Sequence, residues 1–242
     1  MGQAQQNEAR GRGRPRVPVL DKAGITAAAM AELRRGGLRG LTMRSLAARL
    51  GVSPGALYNH AASRDAVLAW VQEQVSDELH VSAFGTTSLR DALAQWAWSY
   101  LRYLRTRPEL VELIVAVPVA HTARTSRMYQ TIVDAFRAAG WYDRSVLPSL
   151  SALETFIFGA ALDSAGPENV YQPAPREPAP RERTPRDAAG TGRTAGEGSL
   201  GDTQAAFAEL VLEAGASERD LVFQLGLDAL LTGLQMRWGA AR

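Results

Sequence analysis

Between Thr42 and Leu68 the chain reads TMRSLAARLGVSPGALYNHAASRDAVL, and its chemistry-bearing side chains are Arg44, Tyr58, His60 and Arg64, with Ser53, Pro54, Gly55 and Ala56 among them. Nothing in this spacing suits covalent chemistry. Cys is absent from all 242 residues, and no G-x-S-x-G, H-E-x-x-H or phosphate loop in context occurs, so an enzyme is not expected. The three His stand far apart at 60, 80 and 121, which argues against a dedicated metal site, and no cofactor is implied. Cationic and phenolic groups interleaved with small residues suit non-covalent recognition of DNA instead. Such groups hold phosphates or base edges, and small residues let the backbone come close.

Two short helices must present these residues. Thr42 is a good N-cap, Leu46, Ala47 and Leu50 give the first helix one apolar face, and Gly51 ends it. Ser53-Pro54 then caps and starts a second helix within three residues. Leu57 and part of Tyr58 anchor that helix, leaving Ser53, Gly55, Ala56, Asn59 and His60 facing outward. This is helix-turn-helix spacing, in which the second helix is short because it lies in the major groove. A longer helix precedes the pair, from Asp21 to Arg35, closing at Gly36-Gly37.

Charge is distributed to match. Met1 to Arg64 holds 11 Lys and Arg against three acids, a balance of +8 in a chain of net +2. The rest is therefore acidic, as expected of a protein that brings one end to a polyanion and keeps the other away. Within the basic end, Arg12-Gly13-Arg14-Pro15 resembles the minor-groove core of an AT-hook. An arm at 1–19 carrying Arg12 and Arg14 reads either as a minor-groove contact or as a solvated basic tail giving only non-specific attraction.

Helical periodicity continues beyond the head: about Ser63 to Val81, Leu89 to Arg105, Glu109 to Val117, Thr122 to Ala139, Ser145 to Ser164, Thr203 to Ala214 and Ser217 to Trp238. The stretch 166–202 interrupts it with six Pro, six Gly and scarcely an aliphatic residue larger than Ala, the composition of a disordered loop. The fold expected is all-α: an arm at 1–19, a three-helix DNA-binding domain with a helix-turn-helix at 20–66, and a larger helical ligand-binding and dimerisation domain at 67–242. No apolar run reaches the 18 or so residues of a membrane span and no signal segment is evident, so a cytoplasmic protein without membrane contact is expected.

The segment LTMRSLAARLGVSPGALYNHAASRDAVL closely resembles the DNA-binding head of TetR-type transcriptional repressors, and AAGWYDRSVLPSLSALETFIFGAALDS and LVFQLGLDALLTGLQMR resemble later helices of the family's tetracycline-binding members. The resemblance implies an all-α homodimer built on an intersubunit four-helix bundle, with DNA contacts at Arg44, Pro54, Gly55, Ala56, Tyr58, His60 and Arg64. The last two helices are apolar round much of their circumference, which agrees with a bundle. Leu153, Ile157, Leu227, Leu230, Leu231 and Leu234 are its candidate interface residues.

For a small-molecule effector, the resemblance aligns His80 with a drug-contacting His and Asp163 with an acid near the family's metal, but Ile114 stands where the metal-ligating His would be. A drug–metal chelate is therefore not the expected ligand. Trp96, Tyr100, Ile114, Val117, Met128, Ile132 and Phe156, with His80 and Asp163 as polar handles, make a candidate pocket for an aromatic or polycyclic effector. Repression relieved by that effector is the expected logic. The alternatives are a TetR-type activator and a low-specificity architectural DNA-binding protein.

Overall fold

The computed structural model describes residues 20–118, 122–166 and 218–239. The regular elements among them are all helices: α1 (Lys22–Gly40), α2 (Met43–Leu50), α3 (Pro54–Tyr58), α4 (Arg64–Glu78), α5 (Leu89–Arg105), α6 (Glu109–Ala116), α7 (Ala123–Ala138), α8 (Asp143–Ser164) and α9 (Glu218–Trp238). The arm with Arg12 and Arg14, His121, the stretch 167–202 and the helix expected at 203–214 lie outside the described residues. Two compact units divide between Val71 and Gln72, inside α4.

In the first unit, local capping sets the element boundaries. Asp21 Oδ1 accepts the Gly24 N–H at 2.8 Å to start α1. Gly36 and Gly37 leave helical geometry, Gly37 at φ +60°, so the chain kinks where an end was expected and makes one further turn to Gly40. Thr42 and Ser45 cap α2 reciprocally, each hydroxyl accepting the other's N–H at 3.0 Å. Gly51 closes α2 at φ +67°. Ile25, Leu33, Leu46, Leu57 and Val67 are buried together as the unit's core.

One buried acid ties α1 to α2. Glu32 accepts from Arg35 Nη2 at 2.7 Å and from Arg49 Nε at 2.6 Å. These hydrogen bonds, first Arg35 and then Arg49, outweigh the cost of burying the carboxylate and lower its pKa to about 2.

The second unit is built round α8, against which α5, α7 and α9 pack. Ser88 caps α5 on the Asp91 N–H at 3.1 Å, and the helix stops at Thr106 before Pro108. Phe156 of α8 stacks on Phe223 of α9, with centroids 5.1 Å apart and planes 16° apart, and Trp98 of α5 meets Phe223 edge-on. Gly226 makes this approach possible, because a Cβ there would stand 2.7 Å from the Phe156 ring.

Two expectations change here. By length and composition α8 is apolar enough to cross a membrane, contrary to the reading of the sequence. The physical reason is that it contributes to the unit's own core on one side and shows a second apolar face on the other. Leu153, Ile157, Leu227 and Leu231, expected at a subunit interface, are instead buried within the single chain, and Leu230 and Leu234 are half-buried. The outward apolar residues of the two helices are Leu147, Leu162, Leu221, Val222, Leu225 (61% exposed) and Met236 (84% exposed). Gly159 and Gly233 also face open space.

Candidate nucleic-acid interface and ligand-binding core

The recognition element is one and a half turns long. Ser53 Oγ accepts the Ala56 N–H at 3.2 Å and Pro54 occupies the first turn, where its missing N–H costs nothing. Leu57 alone is fully buried in α3 and fixes its roll. Ser53, Pro54, Gly55, Tyr58, Asn59 and His60 are consequently exposed and Ala56 half-exposed, with Tyr58 at 52%. Arg44 is exposed near the start of α2. A Cβ at Gly55 would meet nothing within 4 Å, so the protein's own packing does not require glycine there.

Arg64 has a different place from that inferred by resemblance. Its Nε donates to Leu41 O at 2.7 Å and its Nη2 to Leu38 O at 2.6 Å. The guanidinium satisfies carbonyls at the end of α1 and braces the start of α4 against the turn before α2. Its role in the described fold is to position the head, and only its remaining N–H groups face elsewhere.

The candidate effector residues are distributed between core and surface. Trp96 and Tyr100 are buried with rings edge-on at 5.4 Å, and Val117, Met128 and Ile132 are buried while Ile114 is half-buried. Phe156 has turned to α9, as described above. His80 is exposed and lines a groove of about 480 Å³ with Ala94, Gln95, Trp98, Arg102 and Gln224. Asp163 is exposed, 3.9 Å from Arg219 Nε. A second cavity of about 690 Å³ lies among Arg90, Leu93, Trp141, Leu231 and Leu234, with none of the candidate effector residues in its lining.

Polar groups that sequence reasoning missed occur in the second unit, one pair of them half-buried near Tyr100. The Tyr129 hydroxyl of α7 donates to Glu154 of α8. Burial raises the Glu154 pKa above the ordinary carboxylate value, with the Tyr129 hydrogen bond opposing it. Burial, and then the adjacent Glu154 charge, raise the Tyr129 pKa. Gln72 of α4 donates to Val117 O at 3.2 Å, and Ser76 shares a 2.8 Å hydrogen bond with Thr125 of α7. Gln72 Oε1, Trp96 Nε1 and Thr122 Oγ1 are buried without partners. One signal was present in the sequence: Glu154 is a lone acid in the apolar stretch from Val146 to Leu162.

The described residues thus form a helix-turn-helix head and a separate helical unit with aromatic and polar groups in its core. Residues 25–71 match the family described as bacterial regulatory proteins, tetR family. A curated relative, an HTH-type transcriptional regulator of Saccharopolyspora erythraea, is 29% identical over 143 residues, 59% of this chain and 60% of its own length. The chain thus spans about three-fifths of the relative it matches.

Among solved structures, ActR of Streptomyces coelicolor in complex with actinorhodin has a TM-score of 0.63 at 22% identity, covering 93% of this chain and all of that one. A TetR variant of Acinetobacter baumannii AYE in complex with minocycline has a TM-score of 0.64 at 20% identity, covering 92% and 97%. At these identities the structures establish the shared fold. Residues 25–71 thus match a tetR-family head, and the chain shares the fold of these solved structures.

Proposed function

We propose that the protein is a transcriptional repressor that binds a palindromic operator as a homodimer and leaves it when a small molecule enters the helical body. The observation that carries this reading is the geometry of α3: one buried anchor, Leu57, and an otherwise open face of Ser53, Gly55, Tyr58 and His60, with Arg44 exposed on α2. Tyr58 and Arg44 supply phosphate and base-edge contacts. With small residues at Gly55 and Ala56, sequence choice rests on Arg44, His60 and the shape of the DNA.

The outward apolar face of α8 and α9 supports the dimer. Leu162, Leu221, Leu225 and Met236 are exposed in one chain, and pairing two such faces in a four-helix bundle would remove them from water. Two-fold related heads then read half-sites about 34–36 Å apart.

Effector relief acts through α4. Gln72 and Ser76 in its second half are hydrogen-bonded to Val117 and Thr125, so a ligand that spreads the core shifts the helix that begins at the head. Such a ligand favours release only in so far as it binds the DNA-free form more tightly. Footprinting of the purified protein on the intergenic DNA beside its own gene, at about physiological salt, tests the reading. A protected palindrome is expected, whereas uniform protection at every sequence would identify an architectural DNA-binding protein instead.

A further inference from the structure

Arg64 opens α4, yet its guanidinium reaches back across the whole helix-turn-helix. Nε donates to Leu41 O, 23 residues earlier, at 2.7 Å, and Nη2 donates to Leu38 O, 26 residues earlier, at 2.6 Å. The last carbonyls of a helix have no partner in its own ladder, and α1 kinks at Gly36 and Gly37 before it ends with Leu41 as its C-cap. Arg64 therefore closes a loop from Leu38 to Arg64 that contains α2 and α3 entirely.

Inside that loop the polar joints are local. Thr42 and Ser45 cap α2, the Val52 N–H returns to Ala47 O at 3.0 Å behind it, and the Ala61 N–H returns to Leu57 O at 2.9 Å behind α3. Each joint ties a helix only to the residues next to it. The buried Leu46, Leu57 and Val67 hold the motif to the core through contacts with no preferred direction, whereas the Arg64 clasp is directional.

The edge that makes the clasp, Nε with Nη2, is a planar fork of the kind that fits a phosphate or a guanine edge bidentately. Here two carbonyls occupy it. We propose that Arg64 is a positioning residue for sequence recognition: it registers α2 and α3 as one reading surface and acts on operator choice without contacting a phosphate. The inference rests on the reading of the head as a sequence-specific DNA binder. Loss of a phosphate contact weakens binding to every sequence alike and lowers its salt dependence, whereas a displaced reading surface loses its base-edge contacts. Arg64 thus governs the ratio of specific to non-specific affinity. Lysine keeps the charge but has no planar fork for the two carbonyls.

The test uses two duplexes of one length: a sequence selected from a random library by the full wild-type chain, and a scrambled version of it. Fluorescence anisotropy over a series of salt concentrations gives both affinities for wild type, Arg64→Lys and Arg64→Gln. Both variants should lower the ratio of selected to scrambled affinity by about tenfold or more. Arg64→Lys should bind the scrambled duplex within about threefold of wild type, and the salt slope of Arg64→Gln should stay within about 0.5 of the wild-type value. A chain that is only partly folded loses affinity for both duplexes by the same factor, so lowered stability alone leaves the ratio unchanged.

An undiminished ratio in Arg64→Lys, or a uniform loss in Arg64→Gln with a slope smaller by about 0.9 for each contact removed, identifies a phosphate contact and overturns the proposal. A library that yields no preferred sequence overturns the sequence-specific reading itself. Should the variants not fold, the Arg64 Nε–H of the wild type decides. Protection from hydrogen exchange in the free chain, with an NMR signal that the selected duplex leaves in place, is expected; rapid exchange in the free chain, or a signal that moves with either duplex, refutes the clasp.

Discussion

Replacing Glu32 by Gln removes the charge that joins α1 to α2 while keeping the side chain's shape. In the folded head the carboxyl lies at about 2 instead of the ordinary 4.5, a difference that linkage converts to about 3 kcal/mol at neutral pH. The Glu32 side chain is only 3% exposed, but its partners Arg49 and Arg35 are 35% and 65% exposed. Solvent screening of the guanidinium groups brings the expected loss down to about 2 kcal/mol. The folded pKa is depressed, so the stabilisation is complete above the unfolded value and disappears as pH falls from about 4.5 towards 2.

Urea denaturation of wild type and Glu32→Gln at a series of pH values, followed by the NMR amide signals of α1 and α2 in the first unit, measures this directly. The two proteins should differ by about 2 kcal/mol at pH 7 and converge as the pH approaches about 2. A difference under about 0.5 kcal/mol at neutral pH, or one that does not change with pH, would refute the account of Glu32 as the charged tie between the helices. Because Arg49 belongs to α2, the same substitution should also weaken operator binding.

Gly55→Ala should leave the free head folded and more stable by about 0.5–1 kcal/mol, since its Cβ meets nothing within 4 Å and alanine is the better helix former. Reduced operator affinity in electrophoretic shifts would then assign the glycine to DNA approach, and unchanged affinity would remove it from the interface. Arg44→Ala should cost about 1–3 kcal/mol on the cognate operator and less on a site altered at the base it reads, measured by competition at fixed salt. Leu225→Arg, at an exposed position of α9, should give a folded monomer by light scattering. Leu227→Ala, at a position buried in the chain's own core, should leave the oligomeric state intact but cost about 2–5 kcal/mol in denaturation. Gly226→Ala forces a Cβ to 2.7 Å from the Phe156 ring and should destabilise the second unit by about 1–3 kcal/mol in thermal melts, relieved by Phe156→Leu.

The head was readable from the sequence because its signals act over a few residues. Thr42, Gly51, Ser53 and Pro54 each fix a helix end through a neighbouring N–H, a left-handed φ or a missing donor. Their positions alone gave the two short helices, and Leu57 was the one apolar residue able to anchor the second. The bounds Leu89–Arg105 likewise coincide with the period and with the stop at Thr106-Arg107-Pro108. Arg64 was different: a basic residue at the start of a helix suggests a phosphate contact, and only the path of the chain put two carbonyls within its reach.

For the body, the sequence determined that α8 and α9 are long and apolar, yet it did not determine which face each buries in the chain's own core. Both helices are apolar round most of their circumference, so periodicity offers no unique direction. The tertiary packing chose Leu153, Ile157, Leu227 and Leu231 for the chain's own core and left Leu162, Leu225 and Met236 outside. It also left His80 and Asp163 exposed while burying Trp96 and Tyr100, and brought Tyr129 to Glu154 across 25 residues. Local chemistry thus set where each helix begins and ends. How the helices roll against one another is a sum over many distant contacts, and it was settled only in the folded chain.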